Sequence, residues 1–165
     1  MITLELISQT TLTADIAHFV FRPHRRVERK AGQYVVLFAP NGDARALSIA
    51  SAPHEDTIEF ITHISPSPYK QSLNTLEPGE TATMTEPISS FLWPDSQENP
   101  LLIAGGVGVS SFRAIWRDRA HRKLDLTAEL YYYAASNQFL FTEELDELTA
   151  THPEFAVHRV TSGIT

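Results

Sequence analysis

The sequence predicts an all-β plus α/β fold: a small antiparallel β-barrel over residues 1–97, then a partial doubly wound parallel α/β domain over residues 98–165. Three observations predict it. Short β-favouring runs separated by Gly, Pro, Asn and Asp fill the chain as far as Pro94-Asp95-Ser96-Gln97-Glu98-Asn99-Pro100. Beyond that segment the hydrophobic period changes, and strand-like and helix-like runs alternate. At the first handover from strand to helix stand Gly105, Gly106 and Gly108.

In the first part the strands are Thr3–Ile7, Ile16–Phe21, Tyr34–Phe38, Ala46–Ala50, Thr57–Ile64 and Thr81–Glu86, with one short helix over Tyr69–Leu76. Gly32, Pro40-Asn41-Gly42-Asp43, Pro53 and Pro78-Gly79 punctuate them. Strands at this spacing suit a small antiparallel barrel. In the second part Leu101–Ala104, Leu126–Tyr133 and Phe155–Val160 read as strands, and Ser110–Arg122 and Phe141–Thr149 as helices. That order is the signature of a parallel, doubly wound sheet.

Composition narrows the function classes. Of the 165 residues, 42% are hydrophobic and 20% charged, a globular balance. A net charge of −7 argues against nucleic-acid binding, which needs many phosphate-neutralising cations. The run Arg22, His24, Arg25, Arg26, Arg29 and Lys30 is a local exception; it reads as a solvated loop, with a docking patch for an acidic partner as the alternative. The absence of cysteine excludes disulfides, thiolate-held clusters and a catalytic thiol. It also suits a cytoplasmic protein. No signal-peptide pattern is visible at the N-terminus, and the longest apolar stretch, around Leu101 to Val109, is too short to span a bilayer.

Two motifs carry chemistry. In Leu101-Leu102-Ile103-Ala104-Gly105-Gly106-Val107-Gly108-Val109-Ser110-Ser111, a glycine turn opens a helix whose free N–H groups and dipole favour a pyrophosphate. Ser110 and Ser111 can cap that helix or donate to phosphate. A tight turn that merely lets helix and strand pack closely is the competing reading. In Arg45-Ala46-Leu47-Ser48-Ile49-Ala50-Ser51, Arg45 and Ser48 lie on opposite faces of a strand, which suits a long ligand running along it. The Arg45 guanidinium matches phosphate geometry, and the Ser48 hydroxyl can face a ring nitrogen. A surface arginine on an ordinary strand is the alternative.

Taken together and in this order, the two motifs resemble the ferredoxin–NADP(H) reductase superfamily. Gly32-Gln33-Tyr34-Val35, Leu73-Asn74-Thr75-Leu76-Glu77-Pro78-Gly79-Glu80 and Phe141–Leu148 are similar to further markers of that family. The resemblance implies a flavin-dependent oxidoreductase passing a hydride from NAD(P)H to flavin, and then electrons to an acceptor protein. It implies FAD ahead of FMN. Arg45 would hold the flavin pyrophosphate, Leu47 would lie against the ring, and Ser48 would act beside the hydride-accepting nitrogen. Ile49, Ala50 and Ser51 would line the dinucleotide. Lys70, Gln71 and Ser72, in the segment that begins at Ser67, would serve the pyrophosphate. His63, on the strand that follows the flavin segment, is a further candidate for contact with the cofactor, with an ordinary half-exposed strand histidine as the favoured reading. Gly105, Gly106, Val107, Gly108 and Ser110 would meet the NAD(P)H phosphates.

The chain departs from the family at Leu47 (an aromatic there), Lys70 (often Ser), Ser89 (Gly) and Ser111 (Pro), and it ends at Ser162-Gly163-Ile164-Thr165 after three strands. This reads as a truncated chain or a naturally reduced relative. A catalytically reduced flavin- or nucleotide-binding module, or a partner-dependent subunit, is therefore the alternative function. Tyr131-Tyr132-Tyr133 ends the second parallel strand with no arginine for a 2′-phosphate, which places NADH ahead of NADPH. The seven histidines show no metal-binding spacing, so no metal is expected. Glu143, Glu144, Asp146 and Glu147 read as the solvated start of a helix.

Overall fold

The computed structural model describes residues 1–88, 91, 93–94, 99–135 and 137–161. The expectations at Ser89, at the 97/98 division and over Ser162–Thr165 lie outside the described residues. The first part contains β1 (Ile2–Thr13), β2 (Ile16–Pro23), β3 (Tyr34–Phe38), β4 (Ala44–Ser48), β5 (Ile58–His63), α1 (Pro68–Asn74) and β6 (Thr81–Met84). All pairings are antiparallel, in the order β4-β3-β6-β1-β2-β5. The sheet curls into a half-barrel. Its two end strands, β4 and β5, approach one another, and just past β4 the Ala50 N–H donates to the Glu59 carbonyl at 2.8 Å.

Alternation explains the barrel core. Ile2, Leu4 and Leu6 of β1 point inward while their neighbours face out, and Phe19 and Phe21 do the same on β2. They meet Val35, Leu37, Phe60, Tyr69 and Leu73 in one buried cluster. β1 runs six residues beyond the expected Ile7, because Ser8 to Thr13 continue the ladder with β2 past the edge of the core. Those residues are largely exposed, so no apolar alternation marked them. β4 starts and ends two residues earlier than expected, since its register with β3 begins at Phe38↔Ala44 and closes at Tyr34↔Ser48.

The second part contains β7 (Leu101–Gly105), a single 3-10 turn over Gly106–Gly108, α2 (Val109–His121), β8 (Ala128–Ala134), α3 (Thr142–Thr151) and β9 (Phe155–Thr161). The strands are parallel in the order β7-β8-β9. One sheet face packs on the helices through Leu102, Ala104, Leu130, Tyr132, Phe112, Trp116, Leu145 and Phe155. The same buried cluster takes in Ile16, Ala50 and Ile61 of the first part, so the two parts share an apolar interface. On the other sheet face Leu101 and Ile103 stay 60% and 65% exposed, uncovered by any described residue. Among the described residues, no helix is long and apolar enough to cross a membrane.

Candidate functional site

The strand Ala44–Ser48 places Arg45 at the barrel surface, where its guanidinium lies 5.4 Å from the centre of the Tyr69 ring. α1 starts at Ser67, whose hydroxyl accepts from the Lys70 N–H at 3.4 Å. This turn brings the Lys70 ammonium to 5.6 Å from the same Tyr69 ring, donating to Thr62 Oγ1. Burial and the neighbouring Arg45 charge both lower the Lys70 pKa. Among the described residues neither cation has a carboxylate partner: Arg45 donates only to the Ala44 carbonyl, at 2.6 Å. Two adjacent cations in a chain of net charge −7 form a place for a doubly charged anion.

Other residues expected nearby are otherwise engaged. Leu47, opposite Val35, packs against the barrel core. Ile49, Ala50 and Ser51 are buried. Ile49 donates to the Gln33 carbonyl at 3.0 Å, and the Ser51 hydroxyl donates to the Thr57 carbonyl at 2.9 Å. Their side chains therefore turn inward, Ile49 into the barrel core and Ala50 into the cluster shared with the second part, which leaves their backbone as what a ligand could meet. Gln71 is exposed, while Ser72 turns its hydroxyl to the Asn41 N–H at 3.1 Å. His63 is exposed and pairs with Asp15 at 3.0 Å.

Ser48, on the face opposite Arg45, opens into a cleft of about 560 Å³ between the two parts. Gly32 and Tyr34 line it on the barrel side, and Gly108, Ser111, Phe112 and Leu102 on the other. Gly32 has φ +87°, and a Cβ there would stand 1.8 Å from the Phe91 carbonyl oxygen. Only glycine lets the backbone pass at that point.

At the glycine turn only Gly106 takes a positive φ, of 49°; Gly105 and Gly108 lie at −120° and −60°. A Cβ on any of the three would meet nothing within 4 Å. Close packing between helix and strand therefore does not demand glycine at these positions, whereas the positive φ favours it at Gly106. No side chain caps the 3-10 turn or α2, and no acidic residue stands in the first turn of either. Ser110 lies inside the helix with its buried hydroxyl donating to the Val107 carbonyl at 2.7 Å, so neither the capping role nor a phosphate contact is open to that hydroxyl. Val107 is half-buried against the second cluster.

A buried ionic network, not anticipated from the sequence, crosses the interface between the parts. Arg113 of α2 donates through Nη1 to Glu59 at 2.7 Å and to the Ala50 carbonyl at 3.3 Å, and through Nε to Glu144 at 2.9 Å. His18 meets Glu59 at 3.0 Å, Trp116 donates to Glu144 at 2.8 Å, and Arg117 pairs with both Glu144 and Glu55. Burial raises the Glu59 pKa, but the His18 hydrogen bond and the Arg113 charge outweigh it and bring it down to about 2. Glu144 is thus no solvated helix-start residue. A sequence signal existed: Arg113 interrupts the apolar run from Phe112 to Trp116. Arg29, expected in a solvated loop, instead ties down the β4–β5 connection through the carbonyls of Ala52, Glu55 and Thr57 at 2.7, 2.9 and 3.0 Å. Among the described residues no cluster of three or more His, Cys, Asp or Glu could hold a metal.

Comparison with known proteins agrees with this layout. Residues 102–164 match the family model of the oxidoreductase NAD-binding domain. Over 159 residues, 93% of this chain, the sequence is 27% identical to the reductase component 1 of terephthalate 1,2-dioxygenase from Comamonas, covering 47% of that protein. A ferredoxin NADP⁺ reductase from Neisseria gonorrhoeae, solved with bound FAD and NADP, superposes with a TM-score of 0.84 at 21% identity, over 97% of this chain and 68% of that one. The second part thus matches that domain model, and the fold is that of the ferredoxin NADP⁺ reductases. Another relative, an NAD(P)H-flavin reductase of Aliivibrio fischeri, is 28% identical over 86% of this chain and 64% of its own length. The chain spans about half the length of the first of these relatives. Within the ferredoxin–NADP(H) reductase fold, the half-barrel and the parallel sheet meet at the cleft that holds Ser48 and Gly108.

Proposed function

We propose that this chain forms the flavin- and NAD(P)H-binding part of an oxidoreductase that passes a hydride from NAD(P)H to flavin and electrons on to an acceptor protein. One observation carries the reading: the Arg-x-x-Ser strand and the glycine turn, 60 residues apart in sequence, open onto one cleft through Ser48 and Gly108. When bound, the flavin supplies hydride acceptance and onward electron transfer, and the protein supplies position and polarity.

The residues fit such a group. Arg45 and Lys70 would hold its pyrophosphate, and a pair of unneutralised cations favours FAD, which has two phosphates, over FMN, which has one. Ser48 would present its hydroxyl to the reacting edge of the ring inside the cleft, while Leu102 and Phe112 limit water there. The bare backbone of Gly105, Gly106 and Gly108 would receive the NAD(P)H phosphates at the unblocked start of α2. At the end of β8 and just beyond it, Ala134, Ala135, Asn137 and Gln138 bring no cation to the ribose side, and Arg159 of β9 is paired with Asp146 at 2.7 Å. This favours NADH over NADPH. The cytoplasmic reading rests on the lack of cysteine alone.

A second reading, a unit completed by another polypeptide segment, is favoured by the uncovered Leu101 and Ile103, since parallel sheets are ordinarily covered on both faces. The deciding experiment is the visible spectrum of the protein before and after anaerobic NADH and NADPH. Flavin bands that bleach support the oxidoreductase, and bands that persist through both additions overturn it in favour of a module without turnover.

A further inference from the structure

The network around Arg113 joins the two halves of the cleft at the points that matter for transfer between them. Arg113 lies five residues past Gly108 in α2 and donates to the Ala50 carbonyl, two residues past Ser48. The same Nη1 that meets this carbonyl donates to Glu59 of β5, and Nε donates to Glu144 of α3, so the two carboxylates come from different elements. Glu59 is held in turn by His18 on β2, and Glu144 by Trp116 on α2. One planar guanidinium therefore fixes the strand exit after Ser48, the phosphate-facing helix and the neighbouring helix in a single geometry.

Stability does not require this arrangement. The surrounding interface is apolar, with Ile16, Ala50, Ile61 and Trp116 packed in it, and buried ion pairs are commonly no more stable than well-packed apolar side chains of similar volume. What the pairs add is direction, because hydrogen bonds to a rigid fork tolerate little rotation of one part against the other.

Resting on the oxidoreductase reading above, we propose that Arg113 is a positioning residue: held by Glu59 and Glu144, it sets how the glycine turn faces Ser48 across the cleft, and so the rate of hydride transfer rather than the binding of either cofactor. A misplacement of about 1 Å is enough to slow a reaction by about a hundredfold.

Two readouts test this. The chain has no cysteine, so labels at Glu77→Cys in the barrel and Glu147→Cys in α3, both exposed, report the distance between the parts with or without flavin. In Arg113→Gln the spin–spin distance distribution should broaden, flavin content should stay at the unsubstituted level, and the limiting rate of anaerobic bleaching by NADH should fall by about a hundredfold. The NADH dissociation constant from the same titration should move by less than about threefold, as expected for loss confined to the transition state. Arg113→Lys keeps the charge without the fork and should not restore the rate.

If Arg113→Gln is not recovered folded, Glu144→Gln, which is half-exposed, takes its place, with the same broadening and a loss of about tenfold. An unbroadened distance together with an unchanged limiting rate, in whichever variant folds, overturns the proposal. Failure of the unsubstituted protein to bleach overturns the oxidoreductase reading instead, and the label distances then decide the positioning role alone.

Discussion

Glu59 offers the sharpest test of the interface energetics. Its carboxyl is 11% exposed and carries contacts from His18 and Arg113. The gap between the usual 4.5 and its value of about 2, at about 1.4 kcal/mol for each tenfold change in proton affinity, corresponds to about 3 kcal/mol. Because the folded pKa is depressed, that stability is fully present above pH 4.5 and is lost as the pH falls toward 2. Other carboxylates titrate in the same range, so the measurement is the difference between the unsubstituted protein and Glu59→Gln. Urea unfolding followed by tryptophan fluorescence, at constant ionic strength, gives that difference at each pH. At pH 7 the variant should be less stable by about 3 kcal/mol, a large share of the 5–15 kcal/mol typical of a domain. The gap should close as the pH drops through the acid range, since a protonated glutamic acid and a glutamine are then nearly equivalent partners for Arg113. A gap that stays the same from pH 7 to 2.5 would refute the assignment of the shift to charge, and one below about 0.5 kcal/mol at neutral pH would refute the network's contribution altogether.

Three further substitutions separate binding from folding. Arg45→Ala removes an exposed cation with no carboxylate partner among the described residues; flavin retained after dialysis should weaken by tenfold or more, on the scale of about 1.5–3 kcal/mol for a charged hydrogen bond, while the thermal midpoint of the flavin-free protein stays put. Gly32→Ala would place a Cβ 1.8 Å from the Phe91 carbonyl at φ +87°, and a loss of about 2 kcal/mol or more should appear in thermal unfolding. Gly106→Ala meets no atom, so its folding cost should be limited to about 1–2 kcal/mol from its φ of 49°. NADH affinity in that variant, measured by titration, should fall while flavin content holds.

The fold was legible because its signals are local. Alternating apolar residues in β2 and β5, turn residues at Gly32 and Pro78-Gly79, and the switch of period after Pro100 each depend on a few neighbours in sequence. Element ends were less so, as at β1, whose outer half lies beyond the core and carries no apolar pattern. The glycine turn was readable as a candidate but not as a decision, since packing and ligand approach both call for glycine; the structure adds that a Cβ on Gly105, Gly106 or Gly108 would meet nothing within 4 Å. Ile49 to Ser51 look like a continuation of the strand, and only the tertiary turn toward Glu59 and Arg113 buries them. Glu144 carried no local sign of its role, because its partners Arg113 and Trp116 sit about 30 residues away on another helix.

The same distance explains why the interface joins function to stability. Each part alone is of a size that buries too little surface to be robust. The second apolar cluster is completed by Ile16, Ala50 and Ile61 from the half-barrel, so the second part lacks some of its core without the first. An interface built from those residues alone would hold the parts together yet allow small rotations, since apolar contacts are non-directional. The polar set of His18, Glu59, Arg113 and Glu144 lies where such rotation would be felt most, between the exit of the Ser48 strand and the helix that follows the glycine turn. Apolar burial thus secures association, and the hydrogen-bonded fork of Arg113 secures its angle.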